Sequence, residues 1–221
     1  MPEFSMKYLL ILGLLAAFAL NRSSSKAEAA DYVVDPAQTI LVVRLFKAGI
    51  GSALAHDHII RAADPAGEAV INFENPSASS LWVEVRTDAL KADELSMRKK
   101  YGLTKEMSEK DRREVQETML SKKQMDAKAY PTIRFESTKI EMLSEGQFLI
   151  TGSLTIHGVK NQVSFPAVVK KLNGTLSGQA SFRFKQSDFK IQPYSAFFGT
   201  VRNQDESVMN VDLVLAPKTP E

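Results

Sequence analysis

The chain contains no cysteine. That excludes disulfides, thiol catalysis, thiolate metal ligands and a lipidated N-terminal cysteine. Histidine is almost as scarce, with three residues, so imidazole chemistry has few places to reside. No glycine-rich phosphate loop and no Gly-x-Ser-x-Gly nucleophile turn occurs. Basic residues do not cluster among aromatics and the net charge is only +2, so nucleic acid is not an expected partner. Hydrophobic residues make up 44% and charged residues 24%, a soluble globular balance that argues against disorder and against several membrane spans. The longest apolar run, residues 8–20, is too short to cross a bilayer comfortably.

That run has another reading. Lys7 precedes it, and Ala27-Glu28-Ala29 follows it with the small residues of a cleavage site. Residues 1–29 are therefore expected to be a signal peptide cut before Ala30. Met6 is an alternative start, and an uncleaved anchor is the alternative outcome. Residues 30–221 are expected to form one domain of an exported protein, periplasmic or secreted.

Beyond the leader the dominant signal has period two. Leu81, Val83 and Val85 alternate with Trp82, Glu84 and Arg86. Ala69, Ile71 and Phe73 share a face, as do Ile133 and Phe135. Phe148, Ile150, Leu154 and Ile156 form the next apolar face, followed by Val163, Phe165, Ala167 and Val169. Leu176, Ala180, Phe182 and Phe184 continue the series, and Met209, Val211, Leu213 and Leu215 close it. Such alternation means antiparallel strands with one dry and one wet face. "TILVVRLF" is apolar on both faces, so its register stays open. Asn173-Gly174 marks a tight hairpin. About eight strands of this kind predict a small antiparallel barrel or sandwich. A phenylalanine-rich interior suits a hydrocarbon guest, but composition does not separate a cavity from a solid core.

Residues 91–128 break the pattern with dense charge and no proline. Ser108 is placed as an N-cap, and Val115, Met119 and Leu120 make a narrow apolar stripe. One or two helices inserted between strands are expected. "SMRKK" and "SEKDRR" read as solvated helix faces. Trp82 reads as an exterior contact under the helix rather than a ligand platform. "YSAFFGT", with Tyr194, Phe197 and Phe198, is a candidate apolar rim or lid; its plainer reading is the packing of a long loop.

The order of "YVVDPAQTILVVRLFKAG", "QETMLSKKQMDAKAYPTIRFES" and "GSLTIHGVKNQV" resembles the YceI-like family over about residues 32–215. The resemblance implies a mainly β fold: an extended, lipocalin-like eight-stranded antiparallel β-barrel with a helical segment packed at its side. It further implies binding rather than catalysis, in a tunnel that takes an isoprenoid or other long-chain amphiphile. Val83, Phe135, Phe148, Ile150, Phe182 and Phe184 are the expected tunnel lining. The chain departs from the family pattern at Lys190, where a glycine is expected, and around "AGIGSALAHDHII".

His56 and His58 flank Asp57 in that stretch. On a regular strand both rings share a face and Asp57 points away. Zinc needs three or four ligands, and His157 is the only histidine left. No metal and no cofactor are expected. His56 and Asp57 either contact the head of the ligand or serve local structure. His157 reads as a turn residue beside Gly158.

The expected function is an exported binding protein holding an isoprenoid quinone, a polyprenyl phosphate or a fatty amide, for transport or storage. Transient membrane contact is part of that expectation, and dimerisation is left open. The enzymatic alternative uses His56 and Asp57, with or without a metal. A third alternative is an interaction module with a solid core.

Overall fold

The computed structural model describes residues 29–219. Its strands are β1 (Ala30–Val34), β2 (Ile40–Ala48), β3 (His58–Ala62), β4 (Ala66–Ile71), β5 (Ser80–Arg86) and β6 (Leu90–Ala92). They continue as β7 (Thr132–Ser144), β8 (Gln147–Ile156), β9 (Val159–Leu172), β10 (Thr175–Lys185), β11 (Ser195–Ala196) and β12 (Val201–Pro217). Every pairing is antiparallel. The circuit β1-β4-β5-β7-β8-β9-β10-β12 returns to β1 and closes an 8-strand barrel. Closure removes the open edges that an isolated sheet would present.

Breaks explain the extra strands. β1 and β2 lie end to end along β12, which pairs through Leu215 with β1 and through Asp212 with β2. Pro36 lies in the break, where it has no N–H to donate. Asp35 accepts from the Ala37 and Gln38 N–H groups, and Thr39 accepts from the Val214 N–H at 3.0 Å, so the interrupted stave stays tied to β12. In the same way β3 and β4 form a second stave, and β5 and β6 a third.

The inward faces follow the alternation. Tyr32, Val34, Ala69, Leu176, Leu213 and Leu215 fill one end of the barrel as a solid plug. Ile140, Ile150, Phe165 and Ala167 pack a second cluster against the wall. Gly152 falls on this inner face because the Phe135 ring occupies its side-chain space: a Cβ there would lie 2.5 Å from that ring. A bulge at residue 138 switches the parity of β7, so Ile133 and Phe135 are followed inward by Ile140. Phe73 lies beyond the end of β4 and is exposed, with Lys171 over its ring at 4.2 Å. The Asn173-Gly174 turn has φ of 51° and 83°, the left-handed pair of a two-residue hairpin.

The helical insert differs from its expected bounds. Lys91 and Ala92 belong to β6, because they pair with Arg61 and Ile60 of β3. The insert then supplies α1 (Leu95–Lys100) and α2 (Glu109–Leu120). Ser108 caps α2 by accepting the Asp111 N–H at 3.1 Å. α2 does more than pack alongside. β7 begins only at Thr132, so among the described residues β6 has no strand on its far side. The Gln116 amide fills that place: its Oε1 accepts the Ala92 N–H at 2.7 Å and its Nε2 donates to the Leu90 carbonyl at 2.8 Å. Val115, Met119 and Leu120 pack on Ile60, Val85, Leu90 and Ala92, so the helix serves as wall. Gln116→Leu is expected to lower stability by about 1–3 kcal/mol, read from urea unfolding, because it strands two backbone groups.

The second face of β2 is buried as well. Leu41, Val43 and Leu45 face inward, while Val42 and neighbouring Ile59 are buried on the outer side. The residues of α1 lie against β3 on that side, where Lys100 meets Asp212 of β12. Lys190 takes a left-handed φ of 58° after the turn Ser187–Phe189. Lys190→Gly is therefore expected to raise stability by up to about 1 kcal/mol, measured by thermal unfolding.

Candidate functional site

The barrel end opposite the plug holds a cavity of about 660 Å³. That is ample for a small organic ligand. Leu41, Val43, Leu81, Val83, Phe135, Phe165, Phe182 and Phe184 give it an apolar wall, and Val115 and Met119 of α2 complete one side. Phe182 stacks on Phe165 with ring centroids 4.6 Å apart. Towards the mouth the lining turns polar, with His56, His58, Gln186, Asn203 and Ser207. Tyr194 and Phe197 stand at the rim.

Four of the six expected lining residues are in that wall: Val83, Phe135, Phe182 and Phe184. Phe148 and Ile150 are not. They face inward but pack into a cluster with Ile140, Phe165 and Ala167 beside the cavity. An alternating pattern gives the facing of a residue, not what stands in front of it.

Residues 55–57 are not strand, and β3 opens only at His58. Both histidines still line the cavity. Asp57 does not: its Oδ1 accepts the Lys47 N–H at 2.9 Å. The carboxylate that engages a histidine is Asp93, whose Oδ2 accepts from His58 Nδ1 at 2.6 Å. Asp93 Oδ1 accepts from Arg98 at 2.7 Å and from the Ile59 N–H at 3.1 Å. Asp93 is 0% exposed and Arg98 4%. Arg98 also donates to the Asp57 and Lys105 carbonyls, which pins the loop that carries His56. "SMRKK" is thus not a uniformly solvated face, since Arg98 is its buried anchor. Sequence reasoning missed Asp93 and Arg98 because they sit within a charged run whose pattern carries no mark of burial.

Burial pushes the Asp93 carboxyl up, but the hydrogen bond and charge of His58 and the bonds from Arg98 and Ile59 outweigh it and hold it below the ordinary carboxylate range. Burial is also the main reason the His56 ring titrates below its usual range, reinforced by Lys105, His58 and Arg98. Its Nε2–H donates to the Glu106 carbonyl at 3.0 Å, which opposes that shift. Among the described residues no group of three or more His, Asp or Glu stands ready to hold a metal ion.

Trp82 lies on the barrel exterior, where the Arg134 guanidinium covers its ring at 4.4 Å rather than the helix. His157 occupies the β8–β9 turn with φ of 51°, its ring 4.2 Å from that of Tyr130. The "YSAFFGT" segment forms β11 and a short turn in which Phe197 and Phe198 are both exposed.

A model of the YceI-like domain matches residues 32–215, most of the described barrel. The chain belongs to the YceI-like family. It is 29% identical over 159 residues to the UPF0312 proteins of Pseudomonas savastanoi pv. phaseolicola and Pseudomonas syringae pv. syringae, covering 71% of this chain and 70% of each relative. Among solved structures it resembles Burkholderia cenocepacia BcnA, with a TM-score of 0.62 at 17% identity over 82% of this chain and 98% of that one. A mutant CJ YceI protein with a monobromobimane guest gives a TM-score of 0.52 at 15% identity, covering 73% of this chain and 85% of the other. These structural likenesses concern the fold. Family and barrel together make this a binding protein of the YceI-like type.

Proposed function

We propose that the chain is an exported carrier or store for one long-chain amphiphile, such as an isoprenoid quinone, a polyprenyl phosphate or a fatty amide. The cavity carries this reading: about 660 Å³ of space walled mainly by aliphatic and phenylalanine side chains inside a closed barrel. Burying several hundred Å² of tail is worth on the order of 10 kcal/mol gross, at roughly 25 cal/mol per Å². Association and ordering costs reduce that figure, yet leave room for tight binding. In this reading residues 1–29 direct the protein out of the cytoplasm. This leader lies outside the described residues, apart from Ala29.

The test is mass spectrometry of an organic extract of protein purified from its native host without detergent. A stoichiometric long-chain amphiphile is expected. Empty protein that also fails to take up such molecules on reconstitution would remove the carrier reading.

The guest must be exchanged with a membrane. Ile50 is 96% exposed, Phe197 is 77% exposed and Phe198 is fully exposed. The Gly51 N–H donates to the Thr200 carbonyl and holds these two loops together at the cavity mouth. Replacing all three residues by serine is expected to weaken association with phospholipid vesicles at least about tenfold, read by co-sedimentation, without changing the unfolding midpoint.

A further inference from the structure

We propose that His58 and Ser207 form a head-recognition site that selects neutral amphiphiles carrying a hydroxyl group. The inference rests on the carrier reading and names the class of head it accepts. Three observations carry it.

The first is the state of His58. Its Nδ1–H is committed to Asp93 at 2.6 Å. Nε2 has no partner among the described residues, and the ring lines the cavity with its side chain 15% exposed. The charged ring is the form that adds its charge to the hold on Asp93; in the neutral ring, with Nδ1–H so committed, Nε2 is an acceptor and calls for a guest that donates.

The second is Ser207. It is 0% exposed, lines the cavity, and its Oγ has no hydrogen-bond partner. A buried hydroxyl left in this way costs about 1–3 kcal/mol, which a polar guest atom would relieve. Ser207 and His58 are both paired to Leu45, one from each side. They therefore lie on one row across three strands, about 10 Å apart at the backbone by ordinary strand spacing. The ladder between β12 and β2 is broken between Asn203 and Ser207, so Ser207 follows directly on a bulge. A head seated over Leu45 stands between the two side chains.

The third is charge. Among the described residues the cavity lining contains Asp111 and Glu114 but no lysine or arginine. Arg98, the buried cation behind the histidines, is spent on Asp93 and two carbonyls. Lys105, the other cation near His56, donates to the Ala53 and Ala55 carbonyls, so a phosphate or carboxylate head would meet acidic groups and no uncommitted counter-charge in the lining. This disfavours the polyprenyl phosphate among the expected guests and points beyond them to an alcohol or a phenol.

The experiment uses delipidated protein at pH 8 with three probes that share one tail: a C15 isoprenoid alcohol, its methyl ether and its monophosphate. Affinities are read by titration calorimetry. The alcohol is expected to bind roughly tenfold more tightly than the ether, and the monophosphate more weakly than either. Ser207→Ala should weaken the alcohol several-fold and leave both the ether and the unfolding midpoint unchanged or improved. His58→Phe should bring the alcohol to the level of the ether. If that variant does not fold, the probe series and Ser207→Ala still decide. Equal affinity for alcohol and ether, or tightest binding of the monophosphate, would overturn the head site while the carrier reading stands. Binding of none of the three would overturn both.

Discussion

Asp93→Ala is expected to cost about 3–5 kcal/mol of folding stability, measured as a shift in urea unfolding. Three groups lose their partner at once. Arg98, 4% exposed, keeps a buried charge without its carboxylate. The Ile59 N–H and His58 Nδ1 lose their acceptor. The effect should be far larger than that of Glu94→Ala, whose pair with Arg61 is only partly buried on both sides and is worth about 1 kcal/mol. The pair Asp93→Leu with Arg98→Met should recover part of the loss, because it removes both charges together. The pH dependence has a fixed sign. The folded Asp93 carboxyl titrates below its ordinary value of 3.8. A depressed carboxylate contributes stability that is full above its unfolded value and is lost as pH falls through the folded one. The gap between native protein and Asp93→Ala should therefore be constant down to about pH 5 and shrink in more acid solution. A loss below about 1 kcal/mol at neutral pH would show that this network does not hold the cavity wall together.

The barrel was legible in the sequence where one physical rule governs both pattern and structure. A strand with one face in the core and one in water must alternate, and Leu81, Val83 and Val85 do so without interruption. Legibility failed where a second element intervened. β2 reads as apolar on both faces because Val42 on its outer side is buried as well, and no local pattern announces that cover. β6 reads as part of the helical insert because its far edge is satisfied by one side chain, Gln116, instead of a strand. Phe148 and Ile150 face inward as the alternation implies, but they pack into a cluster outside the cavity lining. The site shows the same division. His56 and His58 stood out through rarity and spacing. Their supports did not, because Asp93 is 35 residues from its histidine and only the β3–β6 pairing brings them together. Asp57, adjacent in sequence, turned out to serve the backbone of Lys47.

Phe182→Trp is expected to lower the affinity for a C15–C20 chain by a factor of about ten or more while the barrel stays folded. Phe182 lies on β10 and stacks on Phe165 with the rings 8° from parallel, so an indole keeps the stacking and extends into the lumen. Val83 is on β5, half-way round the circuit of eight strands from β10. Val83→Trp should therefore narrow the same space from the opposite wall and produce the same loss. Overpacking costs about 1–3 kcal/mol in a filled core, but less where an empty volume of about 660 Å³ receives the added atoms. Ile150→Ala supplies the contrast. Ile150 is buried outside the cavity lining, so its truncation should cost about 2–5 kcal/mol of stability and leave affinity nearly unchanged. Loss of binding in both tryptophan variants, with loss of stability in the alanine variant, is what a hollow barrel with a packed flank requires. Native affinity in both tryptophan variants would mean that the chain seats its guest outside the lumen, whatever that guest is.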